Sequence, residues 1–143
     1  MVCIDPNRVP KRTLSTGEEI PCIGMGTFGS DRYGAEEVSA AVAGAIRCRM
    51  FDCASVYGNE DLIGKVFAEA FAGGAVKREE LFIISKVWND MHGKGDILLS
   101  CAKTLKDLQI DVLDAYFVHW PFANYHAPGC DGDSRNPDSK PFY

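Results

Sequence analysis

Apolar and polar residues follow one another along this chain in two rhythms, and the switches between them mark out its elements. Val38, Ala41, Val42, Ala45 and Ile46 recur at the three-and-four spacing of one helical face, which predicts a helix over Ala35–Arg47. The same spacing runs from Asn59 to Ala72 through Leu62, Ile63, Val66, Phe67 and Ala70, and Gly73-Gly74 stops it. It returns from Asp96 to Leu108, with Ile97, Leu98, Cys101, Leu105 and Leu108 on one side. Between these helices lie short apolar runs that read as strands: Ile23–Gly29, thick with glycine, then Met50–Ala54, Leu81–Lys86 and Val112–Val118. Leu81–Lys86 is almost continuously apolar, as expected of a strand buried on both faces. Ahead of them, Arg12–Leu14 and Glu18–Ile20 flank Ser15-Thr16-Gly17 as a small hairpin. Trp120 to Tyr143, dotted with Pro, Gly, Asp, Asn and Ser, reads as a long irregular loop.

Alternating strands and helices predict parallel strands joined by right-handed crossovers, in one domain over residues 1–143. A quasi-repeat supports this. Lys86 stands 34 residues after Asp52, and His119 stands 33 after Lys86. Each ends a strand on its carboxyl side, the edge where catalytic groups gather in barrels and doubly wound sheets. A single polar residue at a strand end needs no function. Three at one period, with Tyr57 close by, are harder to account for as surface polarity.

Composition narrows the classes. The chain has 143 residues, 46% hydrophobic and 24% charged, which is ordinary for a globular domain and long enough to bury a core. A net charge of -5 with scattered Lys and Arg argues against a nucleic-acid surface. No run approaches the roughly 20 apolar residues that span a bilayer, and Met1–Arg12 has no apolar stretch of the signal-peptide kind. No membrane association and a cytoplasmic location are the expectation. Cysteines at 3, 22, 48, 53, 101 and 130 form no Cys-x-x-Cys pair and no metal-ligand spacing. Reduced thiols and no metal are expected, with a structural disulfide as the alternative.

Asp52, Tyr57, Lys86 and His119 supply a carboxylate, a phenol, an ammonium and an imidazole, a set suited to handing a proton to a developing alkoxide. A phenol ordinarily titrates near 10, so a catalytic one needs help in releasing its proton. An ammonium at about 4 Å would favour the phenolate by ~4 kcal/mol at an effective dielectric near 20, before desolvation takes some back. The carboxylate keeps the ammonium charged, and the imidazole can orient a carbonyl oxygen. None of the four is a nucleophile beside an activating base, which disfavours acyl transfer. Cys53, next to Asp52 on an alternating strand, should point the other way, into packing. His92 and His126 are expected to be solvated, and Glu60 and Asp61 to serve the start of the second helix through its dipole.

The run Phe51-Asp52-Cys53-Ala54-Ser55-Val56-Tyr57-Gly58-Asn59-Glu60 closely resembles the aldo-keto reductase signature around its catalytic Asp and Tyr. Ile84-Ser85-Lys86-Val87-Trp88 resembles the segment that bears the family's Lys, and Val118-His119-Trp120-Pro121 the one that bears its His. The resemblance implies the first half of a (β/α)8 TIM barrel with an N-terminal β-hairpin, truncated after strand four. It implies hydride transfer from NADPH, with NADH as the alternative, to a small aldehyde or ketone, sugars included, with Tyr57 as general acid. It further implies that Gly26, Thr27 and Asp52 lie beside the nicotinamide ribose, and that Phe28, Val56, Trp88 and Trp120 line the substrate pocket. Read without the family, aromatic residues near strand ends are more often core.

Two departures stand out. A barrel of this type takes about 250 residues, so half of it, with most of the family's cofactor contacts, is missing from these 143. The strands at either end would then present open edges and invite self-association. The family also usually has a Gly-Tyr pair where Cys48 here runs straight into Arg49, which calls for a tight turn or a shorter first helix and bears on where Asp52 falls. Beside the reductase stand two other readings, a catalytically silent half-barrel that self-associates and a flavodoxin-like binding domain; the latter explains neither the four residues nor the hairpin.

Overall fold

A computed structural model of the chain describes residues 5–29, 32–121, 123–125 and 140–142, the last two stretches as backbone only. Cys3, Cys130 and His126 lie outside the described residues. The hairpin forms from β1 (Lys11–Thr13) and β2 (Glu19–Pro21), antiparallel with Arg12 opposite Ile20. Gly17 closes its turn at φ +94°, in the left-handed region that glycine enters without a Cβ penalty.

The main sheet has four parallel strands, β3 (Met25–Gly26), β4 (Met50–Asp52), β5 (Phe82–Val87) and β6 (Ala115–Val118), lying side by side in that order. Helices α1 (Ala35–Gly44), α2 (Glu60–Ala72) and α3 (Asp96–Leu108) connect them. Chain order and spatial order coincide. A flavodoxin-like sheet reverses direction at a switch point, so this order removes that reading. The core gathers between helices and sheet around Val42, Phe51, Ile63, Phe67, Ile83 and Leu108, each fully buried. Burial of a side chain of this size contributes roughly 1.5–3 kcal/mol. Phe51 and Phe67 meet edge to face at 5.3 Å.

Several boundaries differ from expectation. The first strand shortens to two residues at the edge of the sheet. The first helix ends at Gly44, and a 3-10 turn over Ile46–Cys48 leads to Arg49 at φ 66°. With no glycine available, Arg49 itself takes the left-handed conformation, at a cost of about 1–2 kcal/mol, while its guanidinium bonds Glu80 at 2.5 Å. That turn absorbs the missing pair, and Asp52 stays in register opposite Gly26 and Ile84. The fourth strand begins at Ala115 rather than Val112. There the Asp114 carboxylate accepts from the Ile83 amide at 2.8 Å and from Arg78 at 2.6 Å, a side chain standing in for a strand partner.

Helix α3 has the expected span and part of the expected face: Leu108 is fully buried and Leu105 packs against the core, whereas Leu98 turns outward. It buries Ser100, Thr104 and Leu108, while Leu98 and Leu99 are 75% and 65% exposed. Hydroxyls can occupy the inner face because both are bonded, Ser100 to the Tyr116 phenol and Thr104 to Glu60. Within the stretch expected to be irregular, β7 (Ala123–Tyr125) and β8 (Lys140–Phe142) pair antiparallel. Among the described residues, no helix is long and apolar enough to cross a membrane.

Candidate active site

Strand β4 ends at Asp52 and β5 carries Lys86 one strand over, so parallel pairing brings two residues 34 positions apart to the same sheet edge. The Lys86 Nζ donates to Asp52 Oδ1 at 2.6 Å and to the Cys53 carbonyl at 2.8 Å, and it reaches the Tyr57 hydroxyl at 3.5 Å. Its ammonium is largely enclosed, at 14% side-chain exposure, whereas Asp52 keeps 43%. Tyr57 arrives from a 3-10 turn over Ser55–Tyr57, which Gly58 closes in the left-handed region at φ 65°. One strand further, the backbone of His119 donates to Val87, and its ring stands edge-on to Tyr57 with centroids 5.7 Å apart. Carboxylate, phenol, ammonium and imidazole therefore gather at one edge of the sheet.

Four hydrogen bonds hold the backbone beneath them. Ser55 Oγ donates to the Lys86 carbonyl, tying the tyrosine turn to the lysine strand. Thr27 donates both its amide and its hydroxyl to the Asp52 carbonyl, and the Asn59 side chain donates to Thr27. Thr27 is thus wholly buried and braces Asp52 from within. Gly26, beside it, is exposed, with nothing within 4 Å of where a side chain would begin.

The aromatic residues are not core. Phe28 is 66% exposed and tilts over Tyr57 with centroids 5.1 Å apart. Trp88, half-buried, packs edge-on against His119 at 5.0 Å. Val56 and Trp120 are exposed beside Tyr57 and His119 in the chain.

Burial, and after it the Lys86 ammonium, lowers the His119 imidazole below its ordinary 6.5, with Asp52 opposing. The ring is therefore neutral at pH 7. Its Nδ1 is buried without a partner among the described residues. Cys53 does point away from Asp52 into the core, and desolvation pushes its thiol up to about 12, which removes it as a nucleophile. The four described cysteines are all free, and no group of metal-binding side chains occurs among the described residues.

Two expectations need correction. His92 is half-buried with its Nε2 enclosed, not solvated. Glu60 does more than meet a helix dipole: it is 4% exposed, and its two oxygens accept from Ser85 Oγ at 2.6 Å and Thr104 Oγ1 at 3.0 Å. The signal for this was a serine in an otherwise apolar strand, since a hydroxyl there needs a buried partner. A cavity of about 430 Å³ lies at the opposite end of the sheet, between the hairpin and the strand starts near Arg49, Phe82 and Asp114. It contains none of the four clustered residues.

The family model described as "Aldo/keto reductase family" matches residues 22–132. Aldo-keto reductase family 1 member A1 of Rattus norvegicus is 48% identical over 113 residues, which are 77% of this chain and 34% of that protein. The NADP-dependent D-sorbitol-6-phosphate dehydrogenase of Malus domestica is 45% identical over 116 residues, 80% of this chain and 36% of that protein. A crystal structure of a Bombyx mori aldo-keto reductase in complex with NADP matches with a TM-score of 0.76 at 37% identity, covering 82% of this chain and 40% of that one. The chain thus spans about a third of the length of the curated relatives it matches.

Proposed function

The chain belongs to the aldo/keto reductase family, with the fold of the first half of its (β/α)8 barrel, and from that membership we propose that it supplies the proton-transfer half of an NADPH-dependent reductase of small aldehydes and ketones, sugars included. The observation that carries the proposal is the contact of one enclosed ammonium with both the Asp52 carboxylate and the Tyr57 hydroxyl.

In this reading Tyr57 is the general acid. Its O–H bond breaks as the substrate's carbonyl oxygen gains charge, and the proton passes to that oxygen to give the alcohol. The Lys86 ammonium stabilises the phenolate left behind, and Asp52 keeps Lys86 charged although it is enclosed. His119, neutral, offers a single N–H to hold the carbonyl oxygen; the tautomer protonated on Nε2 leaves the buried Nδ1 as a bare acceptor. Phe28, Val56, Trp88 and Trp120 form the apolar walls that receive the substrate.

The exposed carboxylate of Asp52 and the open surface at Gly26 fit a sugar hydroxyl approaching this edge, and these two would hold the ribose next to the nicotinamide. Thr27 serves that place through Asp52. The cofactor, NADPH or alternatively NADH, supplies the hydride when bound.

The test is a complete barrel in which residues 22–132 of this chain replace the matching segment of the rat relative. It should oxidise NADPH when given a reactive aldehyde, and Tyr57→Phe should lower kcat by roughly 10²–10⁴-fold while NADPH affinity is retained. Full turnover by the phenylalanine variant would remove Tyr57 from the mechanism.

A second reading concerns the chain by itself. Outer strand β6 exposes Phe117 and Val118, about half of each. On that observation the isolated half-barrel is catalytically silent and self-associates through its edges.

A further inference from the structure

Among the described residues, Glu60 is the one buried carboxylate that the proposed chemistry leaves unused. It opens α2, three residues after Tyr57, and lies on the side of β5 away from Lys86. Its Oε1 accepts from Ser85, the residue immediately before Lys86, and its Oε2 accepts from Thr104 on α3. No salt bridge to Glu60 is found among the described residues, so the carboxylate rests on two hydroxyls, and burial raises its titration above the ordinary 4.5. Burying a carboxylate without a counter-charge costs free energy that two hydroxyl hydrogen bonds offset only in part. What the carboxylate adds is geometry, because it joins three elements at one point.

We propose that Glu60 is a positioning residue that sets the separation of the Tyr57 hydroxyl from the Lys86 ammonium by tying the start of α2 to β5 and α3 through Ser85 and Thr104. The front of this joint is the set of contacts from Lys86 to Asp52, Cys53 and Tyr57; the back is Glu60. Ser55, bonded to the Lys86 carbonyl, ties the same turn to the same strand a second time. The phenol sits 3.5 Å from Nζ, at the outer limit of a hydrogen bond, where a small shift of α2 breaks the contact. The inference rests on the reductase reading for its effect on turnover, but not for its geometry.

The experiment uses Glu60→Gln, which keeps an acceptor for Ser85 and an amide for Thr104, and Glu60→Leu, which keeps the volume and severs both links. Ser85→Ala severs one link and serves where Glu60→Leu does not fold. Phe71→Ala, at the far end of α2, controls for simple destabilisation of the helix. In the complete barrel, Glu60→Leu should lower kcat by up to about 10²-fold, the scale expected when reacting groups are misplaced by about 1 Å. KM for NADPH should be unchanged and the pH profile of kcat displaced. Ser85→Ala should do the same to a smaller extent, and neither Glu60→Gln nor Phe71→Ala should shift the profile. In the 143-residue chain, the rate at which an amine-acylating reagent labels Lys86, read by mass spectrometry, should rise in Glu60→Leu and Ser85→Ala and stay at the wild-type rate in Glu60→Gln. An inactive wild-type barrel would sink the reductase reading while the labelling still decides the joint. Lys86 labelled in Glu60→Leu and Ser85→Ala at the wild-type rate, or no faster than in Phe71→Ala, would overturn the proposal.

Discussion

At the scale of single residues, the candidate site was legible because its members interrupt apolar strands at a constant period. Asp52, Lys86 and His119 each close a hydrophobic run that would otherwise continue, and parallel pairing turns that period into adjacency. Glu60 was only half legible: Ser85 in an apolar strand called for a buried partner, but nothing local named which residue it would be. Its partners lie 25 and 44 residues away, on a strand and a helix whose relative placement no local pattern encodes. Its burial has a measurable consequence in pH. Because Glu60 titrates higher in the fold than in the unfolded chain, folding takes up a proton there; this group's contribution to stability is greatest at low pH and declines as pH rises from about 4.5 through the raised value. Glu60→Gln cannot ionise, so it should unfold at a higher urea concentration than wild type at pH 7, with the gap closing in acid. A gap that stays constant from pH 3 to pH 7 would mean that the carboxyl titrates alike in both states.

At the scale of elements, existence and order were readable and the boundaries were not. Periodicity located all three helices, yet it could not say that Arg49 would adopt a left-handed backbone or that Asp114 would take the place of a strand partner. The stripe on α3 held at Leu105 and Leu108 and failed at Leu98, because hydrophobicity undervalues a bonded hydroxyl: Ser100 and Thr104 share the inward face, and Leu98 faces out. Small size matters at that face too. A Cβ on Gly64 of α2 would come within 2.0 Å of the Asp107 carbonyl oxygen, which is backbone and cannot swing aside. Gly64→Ala gains helix propensity of roughly 1 kcal/mol but forces α2 and α3 apart, and overpacking of this kind costs ~1–3 kcal/mol. Chemical denaturation should therefore show a net loss, and a variant more stable than wild type would show that the two helices separate freely.

At the scale of the whole molecule, the chain carries a nearly complete set of proposed proton-transfer groups on a sheet with two open edges, β3 and β6. If the phosphate and adenosine contacts belong to the part of the relatives' length that these residues do not span, the 143-residue chain should bind NADPH far more weakly than a complete barrel does. Fluorescence titration measures this directly, and micromolar binding by the chain alone would show that the cofactor contacts lie within it. Sedimentation at increasing concentration should likewise report association through the edges, and a strictly monomeric chain would rule it out. The coincidence of chain order with spatial order has one more consequence, for synthesis on the ribosome. Each strand as it emerges has its sheet neighbour already synthesised, so no later segment has to thread between earlier ones. The members of the site therefore leave the ribosome in the order in which they lie across the sheet: Asp52 and Tyr57 first, Lys86 on the next strand, and His119 last.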